Sequence, residues 1–344
     1  MKADIGPILL SYLLSYFIVK ILLRAEPHFK VMDIPNDRSM HKIPVPRTGG
    51  VGIMVSIITC AAFVLFQEDS IQESGRLIIW LVSFTVLFCV SLADDVRGLS
   101  SASRLIVHIA CAAAVTYDGS LVPIALDDSS NFSVLAYIVT VLYIVWMINL
   151  YNFMDGMDGL ASGMAIIGFT ALGIFGYQGG EIYFSMLCFI VAASSAGFLV
   201  LNFPPAKIFM GDVGSSTMGF LAALFSLWAH NHNVVPIWIT LLVFSPFIVD
   251  STMTLMRRAV NGEVIWSAHR SHFYQRLVQL GWSHRKTLLW EYALMLLCVG
   301  SALAINNRSL IVQSIAIFVI IIIYLTISLA VSLLEVKERR RQRE

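Results

Sequence analysis

Apolar stretches long enough to cross a membrane recur along the whole chain, with short polar segments between them. A membrane-spanning helix needs about 20 mostly apolar residues, and eleven stretches meet or nearly meet that length. Their approximate bounds are 4–24, 49–66, 77–94, 104–120, 133–150, 159–177, 182–202, 214–230, 234–255, 288–305 and 309–334. The pattern predicts an all-α polytopic membrane protein with about 11 transmembrane helices.

The composition agrees with this prediction. The 344 residues are 58% hydrophobic and 13% charged, whereas soluble domains are about 45–50% apolar and about 25% charged. A soluble fold of this size could not bury so much apolar surface. The first stretch is predicted to be a span rather than a signal peptide, because it is long, contains Lys20 and lacks a small-residue cleavage site.

The Lys and Arg residues are concentrated on one side of these spans. The connections after spans 1, 3, 5, 7 and 9 and the C-terminal tail hold 19 of them, and the opposite side holds 3. Cytoplasmic loops carry such an excess, so the N-terminus is predicted to be periplasmic and the C-terminus cytoplasmic. We expect one transmembrane domain, 1–344, ending in a basic cytoplasmic tail, 335–344, on anionic lipid headgroups.

Four polar clusters lie at predicted cytoplasmic helix ends, and the first is the pair Asp94-Asp95. Adjacent carboxylates raise each other's pKa unless a cation is near, so a divalent metal or basic partners would suit them. A solvated helix end followed by Arg97 is the alternative interpretation.

The second cluster contains Asn152, Asp155 and Asp158. Residues three apart share a face if the segment is helical, so three oxygen-bearing side chains would converge there. Gly156 and Gly159 would let a ligand approach closely. A capped helix start, the alternative, does not explain so many side-chain oxygens in one turn.

The third cluster contains Asp212, Gly214 and Ser215, after Pro204-Pro205 has ended the preceding helix. A helix N-terminus attracts anions through its free N–H groups. Asp212 is therefore either an N-cap or a metal ligand that holds a phosphate against this N-terminus.

The fourth cluster contains His269, Arg270, His272 and Arg276, a combination that suits a diphosphate. A zinc site is disfavoured, because it would need more Cys or His ligands and oxygen donors dominate here. Together the clusters predict a magnesium-dependent phosphoryl transfer, since magnesium bridges phosphate oxygens and uses few carboxylates. The chain has no Walker motif or dinucleotide fingerprint, so the nucleotide must be held differently.

These motifs resemble the polyprenyl-phosphate N-acetylhexosamine-1-phosphate transferase superfamily, the MraY/WecA-like group of glycosyltransferase family 4. The resemblance covers nearly the whole chain. Four motifs occur in order: Pro-Arg-Thr-Gly-Gly (46–50), Ala-Asp-Asp (93–95), Asn-Phe-Met-Asp-Gly-Met-Asp-Gly (152–159) and Phe-Met-Gly-Asp-Val-Gly-Ser (209–215). Segment 269–277 is most similar to the WbpL/WbcO-like branch that starts O-antigen chains, and it lacks the three consecutive histidines of the peptidoglycan branch.

The resemblance implies a role for individual residues. Asp94 would be the catalytic base that activates the lipid phosphate, with Asp95 supporting it. Asn152 and Asp212 would hold Mg²⁺, for which Mn²⁺ could substitute. Arg104 would bind the diphosphate, Asp155 and Asp158 the nucleoside, and the 269–272 segment the sugar and its phosphate. The full set implied to bind substrate is His41, Lys42, Arg47, Thr48, Arg104, Asp155, Asp158, His269, Arg270 and His272.

The implied reaction transfers N-acetylhexosamine 1-phosphate from a UDP-sugar to undecaprenyl phosphate and releases UMP. The sugar would be of the GlcNAc, FucNAc or QuiNAc type, and the product would start O-antigen (lipopolysaccharide) or other cell-envelope polysaccharide synthesis. The resemblance implies a multi-pass inner-membrane enzyme with a cytoplasmic active site, and it suggests a homodimer; no nucleic-acid partner is expected. Direct attack and a two-step route through an Asp-phosphate both stay open.

A secondary transporter is the alternative from another functional class, because intramembrane carboxylates mark ion pathways. It is disfavoured here, because the polar clusters lie at one membrane face and the chain has no paired interrupted segments.

Overall fold

The structure is a computed structural model that describes residues 5–25, 31–35, 40, 43–66, 75–117, 122, 130–264 and 269–341. In the described residues, helices alternate with short connections along the chain. In chain order the elements are α1 (Gly6–Arg24), β1 (Met32–Asp33), β2 (Val45–Pro46), α2 (Gly49–Leu65), α3 (Gly75–Arg97), α4 (Ser101–Tyr117), α5 (Ser130–Met154), α6 (Leu160–Gln178), α7 (Ile182–Asn202), α8 (Gly211–Asn231), α9 (Ile237–Val243), α10 (Ser245–Val260), α11 (Phe273–Gln279), α12 (His284–Ile305) and α13 (Leu310–Arg341).

A helix, or in one case a bent pair of helices, lies at each of the eleven predicted positions. Within the described ranges, seven helices are long and apolar enough to cross a membrane, and the bent pair α9–α10 would make an eighth span. Helices α2 and α4 are apolar but shorter, with 17 residues each. The protein is therefore a predominantly helical polytopic membrane protein; the number of 11 spans and the orientation stay predictions.

Three details differ from the helical pattern expected from the sequence. A two-stranded antiparallel ribbon pairs β1 with β2, so the fold is not purely helical. Helix α5 ends at Met154, and residues 155–159 form a bend and a turn. The predicted span 234–255 is broken near Phe244, where α9 and α10 are inclined by 79°.

Helix α8 lies at the centre of the bundle, against α2, α3, α5 and α6. Most of its residues are buried although many are small or polar. Its hydroxyl side chains bond to carbonyls one turn earlier, as Thr217 does with Val213 and Ser226 with Ala222. Polar groups away from water need such internal partners, so this sequence suits a helix surrounded by other helices rather than by lipid.

Close contact between glycines brings the start of α2 onto the start of α8. The backbone N–H groups of Gly49 and Gly50 donate to the carbonyls of Phe209 and Met210, at 3.0 and 2.8 Å. A Cβ atom on Gly50 would collide with the backbone of Gly214. The Pro-Arg-Thr-Gly-Gly motif therefore docks the first long loop beside the residues that begin α8.

We expect Gly50→Ala to destabilise the protein by about 1–3 kcal/mol, the usual cost of overpacking a filled interior. The added methyl group would meet backbone atoms, which cannot rotate away. The measurement is the thermal unfolding temperature of the purified protein. Gly300→Ala in α12 is the matched control, because a Cβ there meets no described atom within 4 Å; equal unfolding temperatures for the two variants would contradict the prediction.

Candidate active site

One cavity of about 660 Å³ brings the four polar clusters of the sequence together. Drug-sized ligands occupy cavities of about 300–1,000 Å³, so a nucleotide-sized molecule fits. Ten of the fourteen residues proposed for the site line this cavity: Arg47, Asp94, Asp95, Arg104, Asn152, Asp155, Asp158, Asp212, His269 and His272.

Asp94 lies in the last turn of α3, where its carboxylate is 5% exposed. The N–H of Leu99 donates to Oδ1 at 2.6 Å, after the chain has turned at Gly98 with a φ of +70°. Arg104, in the first turn of α4, donates to Oδ2 at 2.8 Å. The same guanidinium nitrogen lies 3.4 Å from Oδ2 of Asp212. Arg104 thus bridges two carboxylates that come from different helices.

Asp95 faces away from Asp94 because neighbouring residues on a helix point about 100° apart. Its two oxygens accept the backbone N–H groups of Asp212 and Val213, both at 3.0 Å. Arg47 donates to the Asp95 carbonyl at 2.7 Å and places Nε 3.7 Å from the carboxylate. Asp95 therefore acts as the cap of α8, although it belongs to another helix.

This geometry corrects two expectations about the start of α8. Asp212 is not its N-cap, because the helix begins at Gly211 and Asp212 lies in the first turn. The N–H groups of Asp212 and Val213 are not free for a phosphate, since the carboxylate of Asp95 already occupies them. The protein supplies its own anion there.

Asn152 and Asp212 lie side by side, as the proposed metal pair requires. The Asn152 amide Nδ2 donates to Oδ1 of Asp212 at 2.5 Å and to Oγ of Ser215 at 3.0 Å. Because Nδ2 makes both of these bonds, the amide oxygen of Asn152 stays available to a ligand. Gly211, with a φ of +73°, makes the turn that starts the helix here.

Asp155 and Asp158 lie in a bend and a turn, so they do not share the face that a helical segment would have given them. Oδ2 of Asp158 accepts the backbone N–H of Ala206 at 3.0 Å. Gly159, with a φ of +76°, donates its N–H to Oδ1 of Asn202 at 2.8 Å. The motif 152–159 is thereby tied to the end of α7.

Burial raises the pKa of Asp155 well above its usual value, and the nearby carboxylates Asp212, Asp95, Asp158 and Asp33 raise it further. Carboxylates repel one another's charge, so a cation in the cavity would be favoured. The described lining contains six aspartates, including Asp33, but only two arginines. An anionic diphosphate entering this cavity would need additional positive charge.

Oxygen donors of this kind fit a magnesium ion that is shared with substrate phosphates. Within the described ranges, no group of three or more His, Cys, Asp or Glu residues is arranged to hold a metal by itself. Magnesium keeps few protein ligands, usually one or two carboxylates plus substrate phosphates. Asp212 and the amide oxygen of Asn152 are compatible with that arrangement.

The histidine segment approaches the same cavity from the loop before α11. The rings of His269 and His272 lie 4.9 Å apart, and His272 stacks on Tyr274 at 5.8 Å. Burial, followed by the charges of His272 and Arg258, lowers the pKa of His269 to about 4. The lowered pKa favours the neutral ring of His269 at pH 7, and a neutral ring suits a hydrogen bond to a substrate.

Two arginines of this segment do not face the cavity. The side chain of Arg270 is exposed and does not contribute to the lining. Arg276 is 4% exposed and forms a bidentate ion pair with Glu335 of α13, at 2.6 and 2.9 Å. The expectation that Arg276 serves a diphosphate is therefore wrong: it fastens α11 to the last helix.

The first long loop contributes less than expected. Thr48 does not line the cavity, and its buried hydroxyl has no hydrogen-bond partner in the part of the chain that the structure describes. His41 and Lys42 lie outside the described residues. Arg47 is the proposed ligand from this loop that reaches the cavity.

Several residues of the site were missed in the sequence. Asn149, Tyr274 and Gln275 line the cavity, and Asp250 bonds to His272 from behind it. Asp250 carries a signal that could have found it, because a carboxylate inside a predicted span marks a functional site by default. The other three have no such signal, since Asn, Tyr and Gln are common at helix ends.

The chain is similar to one family model and to several curated transferases. The family described as "Glycosyl transferase family 4" matches residues 77–230. A Bacillus subtilis (strain 168) relative, named a probable undecaprenyl-phosphate N-acetylglucosaminyl 1-phosphate transferase, is 30% identical over 321 residues, or 91% of this chain and 88% of the relative. A Mycobacterium leprae (strain TN) decaprenyl-phosphate N-acetylglucosaminephosphotransferase is 28% identical over 83% of this chain and 79% of its own. A Staphylococcus saprophyticus phospho-N-acetylmuramoyl-pentapeptide-transferase is 26% identical over 85% of this chain and 96% of its own.

Proposed function

Because this chain belongs to glycosyl transferase family 4, the superfamily of polyprenyl-phosphate N-acetylhexosamine-1-phosphate transferases, we propose that it transfers N-acetylhexosamine 1-phosphate from a UDP-sugar to undecaprenyl phosphate. An oxygen of the lipid phosphate forms a bond to the phosphorus next to the sugar. The bond from that phosphorus to the bridging oxygen breaks, and UMP leaves. The relatives' names describe the general reaction with a polyprenyl phosphate and N-acetylglucosamine.

The observation that carries this proposal is that Asp94, Arg104, Asn152 and Asp212 line the same cavity. These four side chains come from four different helices, and hydrogen bonds link them into one group. Phosphoryl transfer requires mainly the positioning of the reacting groups and the neutralisation of the phosphate charge. Arg104 and the carboxylates around it can position the phosphates, and Arg104 together with a bound cation can neutralise their charge.

Mg²⁺ is the proposed cofactor, and it would neutralise the diphosphate between Asp212 and the oxygen of Asn152. Arg104 would also bind the diphosphate, because its guanidinium lies in the cavity between Asp94 and Asp212. Asp94 would accept a proton from the lipid phosphate or orient it. Asp158 and Asp155 would face the nucleoside, and the neutral His269 would hydrogen-bond to the sugar.

The enzyme is proposed to act at the cytoplasmic face of the bacterial inner membrane, where UDP-sugars are made and the lipid phosphate is held. UDP-GlcNAc is the first donor to test, since relatives in two organisms are named for N-acetylglucosamine. A role in starting O-antigen synthesis stays a prediction that depends on the donor sugar.

We expect the purified protein with undecaprenyl phosphate and Mg²⁺ to release UMP from at least one N-acetylated UDP-hexosamine. The panel is UDP-GlcNAc, UDP-FucNAc, UDP-QuiNAc and UDP-MurNAc-pentapeptide, with UMP and lipid-linked sugar both measured. Chelation by EDTA should stop the release, and added Mg²⁺ should restore it. Failure with every donor, together with movement of a solute across liposome membranes, would favour the transporter.

A further inference from the structure

Asp250 is a buried carboxylate that the proposed chemistry does not use. It lies in α10, is 7% exposed and does not line the cavity. Its Oδ1 accepts the hydroxyl of Thr254 at 3.1 Å and lies 3.0 Å from Nδ1 of His272. The backbone N–H of Phe273 lies 3.0 Å from both oxygens. One side chain thus holds both the start of α11 and one ring nitrogen of His272.

These contacts determine which nitrogen of His272 carries the proton. An ionised carboxylate only accepts hydrogen bonds, so Nδ1 must be the donor. His272 lines the cavity, and among the described residues its Nε2 has no hydrogen-bond partner in the protein. Nε2 is therefore the nitrogen left for a molecule in the cavity.

The neighbouring histidine lacks this arrangement. Nδ1 of His269 lies 3.0 Å from the hydroxyl of Ser271, and no described carboxylate lies within hydrogen-bond distance of its ring. A hydroxyl can donate or accept, so it fixes neither tautomer nor charge. The two histidines share the cavity wall but are not equivalent.

Capping alone does not explain a charged residue at position 250. The N–H of a helix start needs only a neutral oxygen, such as that of Asn or Ser, and Gln275 already accepts the N–H of His272 at 3.2 Å. Burying a charge inside a membrane helix is costly. A carboxylate behind a histidine also stabilises the ring when its other nitrogen takes a proton.

We propose that Asp250 is a positioning residue of the donor site: it fixes His272 with the proton on Nδ1 and presents Nε2 to the sugar-phosphate part of the donor. This inference rests on the proposed function, because it assumes that a UDP-sugar occupies the cavity. Asp250 acts through His272 and does not touch the substrate itself.

The test is a double-mutant cycle on UMP release. Asp250→Asn keeps the shape, and its one oxygen in the place of Oδ1 can still accept from Thr254, His272 and Phe273, but it lacks the charge and the second oxygen. We expect kcat/KM to fall about 10–100-fold, as for other residues that orient a functional histidine. In a His272→Ala background, Asp250→Asn should have little further effect, because residues that act as a unit are not additive. Thr254→Val, which removes another hydrogen bond to the same carboxylate, is the matched control and should turn over like the wild type.

Nuclear magnetic resonance of protein labelled with ¹⁵N-histidine tests the pairing without any assay of turnover. The His272 signal, identified by its loss in His272→Ala, should show a proton on Nδ1 in the wild type. This measurement shows which nitrogen of His272 carries the proton even if Asp250→Asn does not fold.

Three results would overturn the inference: wild-type kcat/KM in Asp250→Asn, losses that multiply in the double variant, or a His272 protonated only at Nε2. If wild-type protein releases no UMP from any donor, the proposed function fails instead, and the resonance of His272 still decides the pairing.

Discussion

Replacement of Asp212 by Asn is expected to lower UMP release by about 10²–10³-fold while the protein stays folded, the order of loss seen when one preorganised interaction with the transition state is removed. An amide has the shape of the carboxylate, so its oxygen can still accept from Asn152 and the first turn of α8 is preserved. What disappears is the negative charge that, in the proposed site, holds Mg²⁺ against the diphosphate. Arg104 would also lose one of its two carboxylate partners.

The measurement is the rate of UMP release over a range of Mg²⁺ concentrations, with the unfolding temperature as the check of folding. Thr217→Val is the matched control on the same helix, because among the described residues its hydroxyl bonds only to carbonyls of its own helix, those of Val213 and Gly214. Turnover of Asp212→Asn at the level of this control would exclude the metal role of Asp212.

The helices could be predicted from the sequence because each depends on a local property. The stretch 182–202 coincides with α7, since its apolar run is continuous and ends just before Pro204-Pro205. The break between α9 and α10 was not predicted, although Pro246 in the first turn of α10 is a local signal for it, because a proline inside an apolar run interrupts the helical hydrogen bonds. The local sequence does not specify the angle of 79° at this break.

The grouping of the candidate residues could be predicted, but their partners could not. The motifs placed ten candidates at one cavity, whereas Asp95 meets Val213, which is 118 positions away in the sequence. Arg276 and Glu335 are likewise joined across 59 positions. A local pattern shows that a residue is polar, and only the packing of the helices shows whether its charge faces the cavity or another helix.

Substitutions in the pair Asp94-Asp95 test most directly whether a charge faces the cavity or another helix. Asp94→Asn should lose about 10²–10⁴-fold in turnover, the range for a general base, with an unchanged unfolding temperature. Its carboxylate accepts from Leu99 and Arg104 and lines the cavity. An amide oxygen can keep the bond from Leu99, and Arg104, which is 32% exposed, keeps Asp212 and water as partners, so no buried donor is left unsatisfied.

Asp95→Asn should instead lose stability, by about 1–3 kcal/mol, the cost of leaving one buried donor unsatisfied. Two backbone N–H groups point at the Asp95 carboxylate, and an amide has only one oxygen to accept them. Its NH₂ group would face the second N–H, and the start of α8, which carries Asp212, would shift. Activity should therefore fall together with the unfolding temperature, and both should be measured on the same preparations of the two variants. If Asp95→Asn unfolds like the wild type but turns over as slowly as Asp94→Asn, Asp95 takes part in the chemistry and is not only the cap of α8.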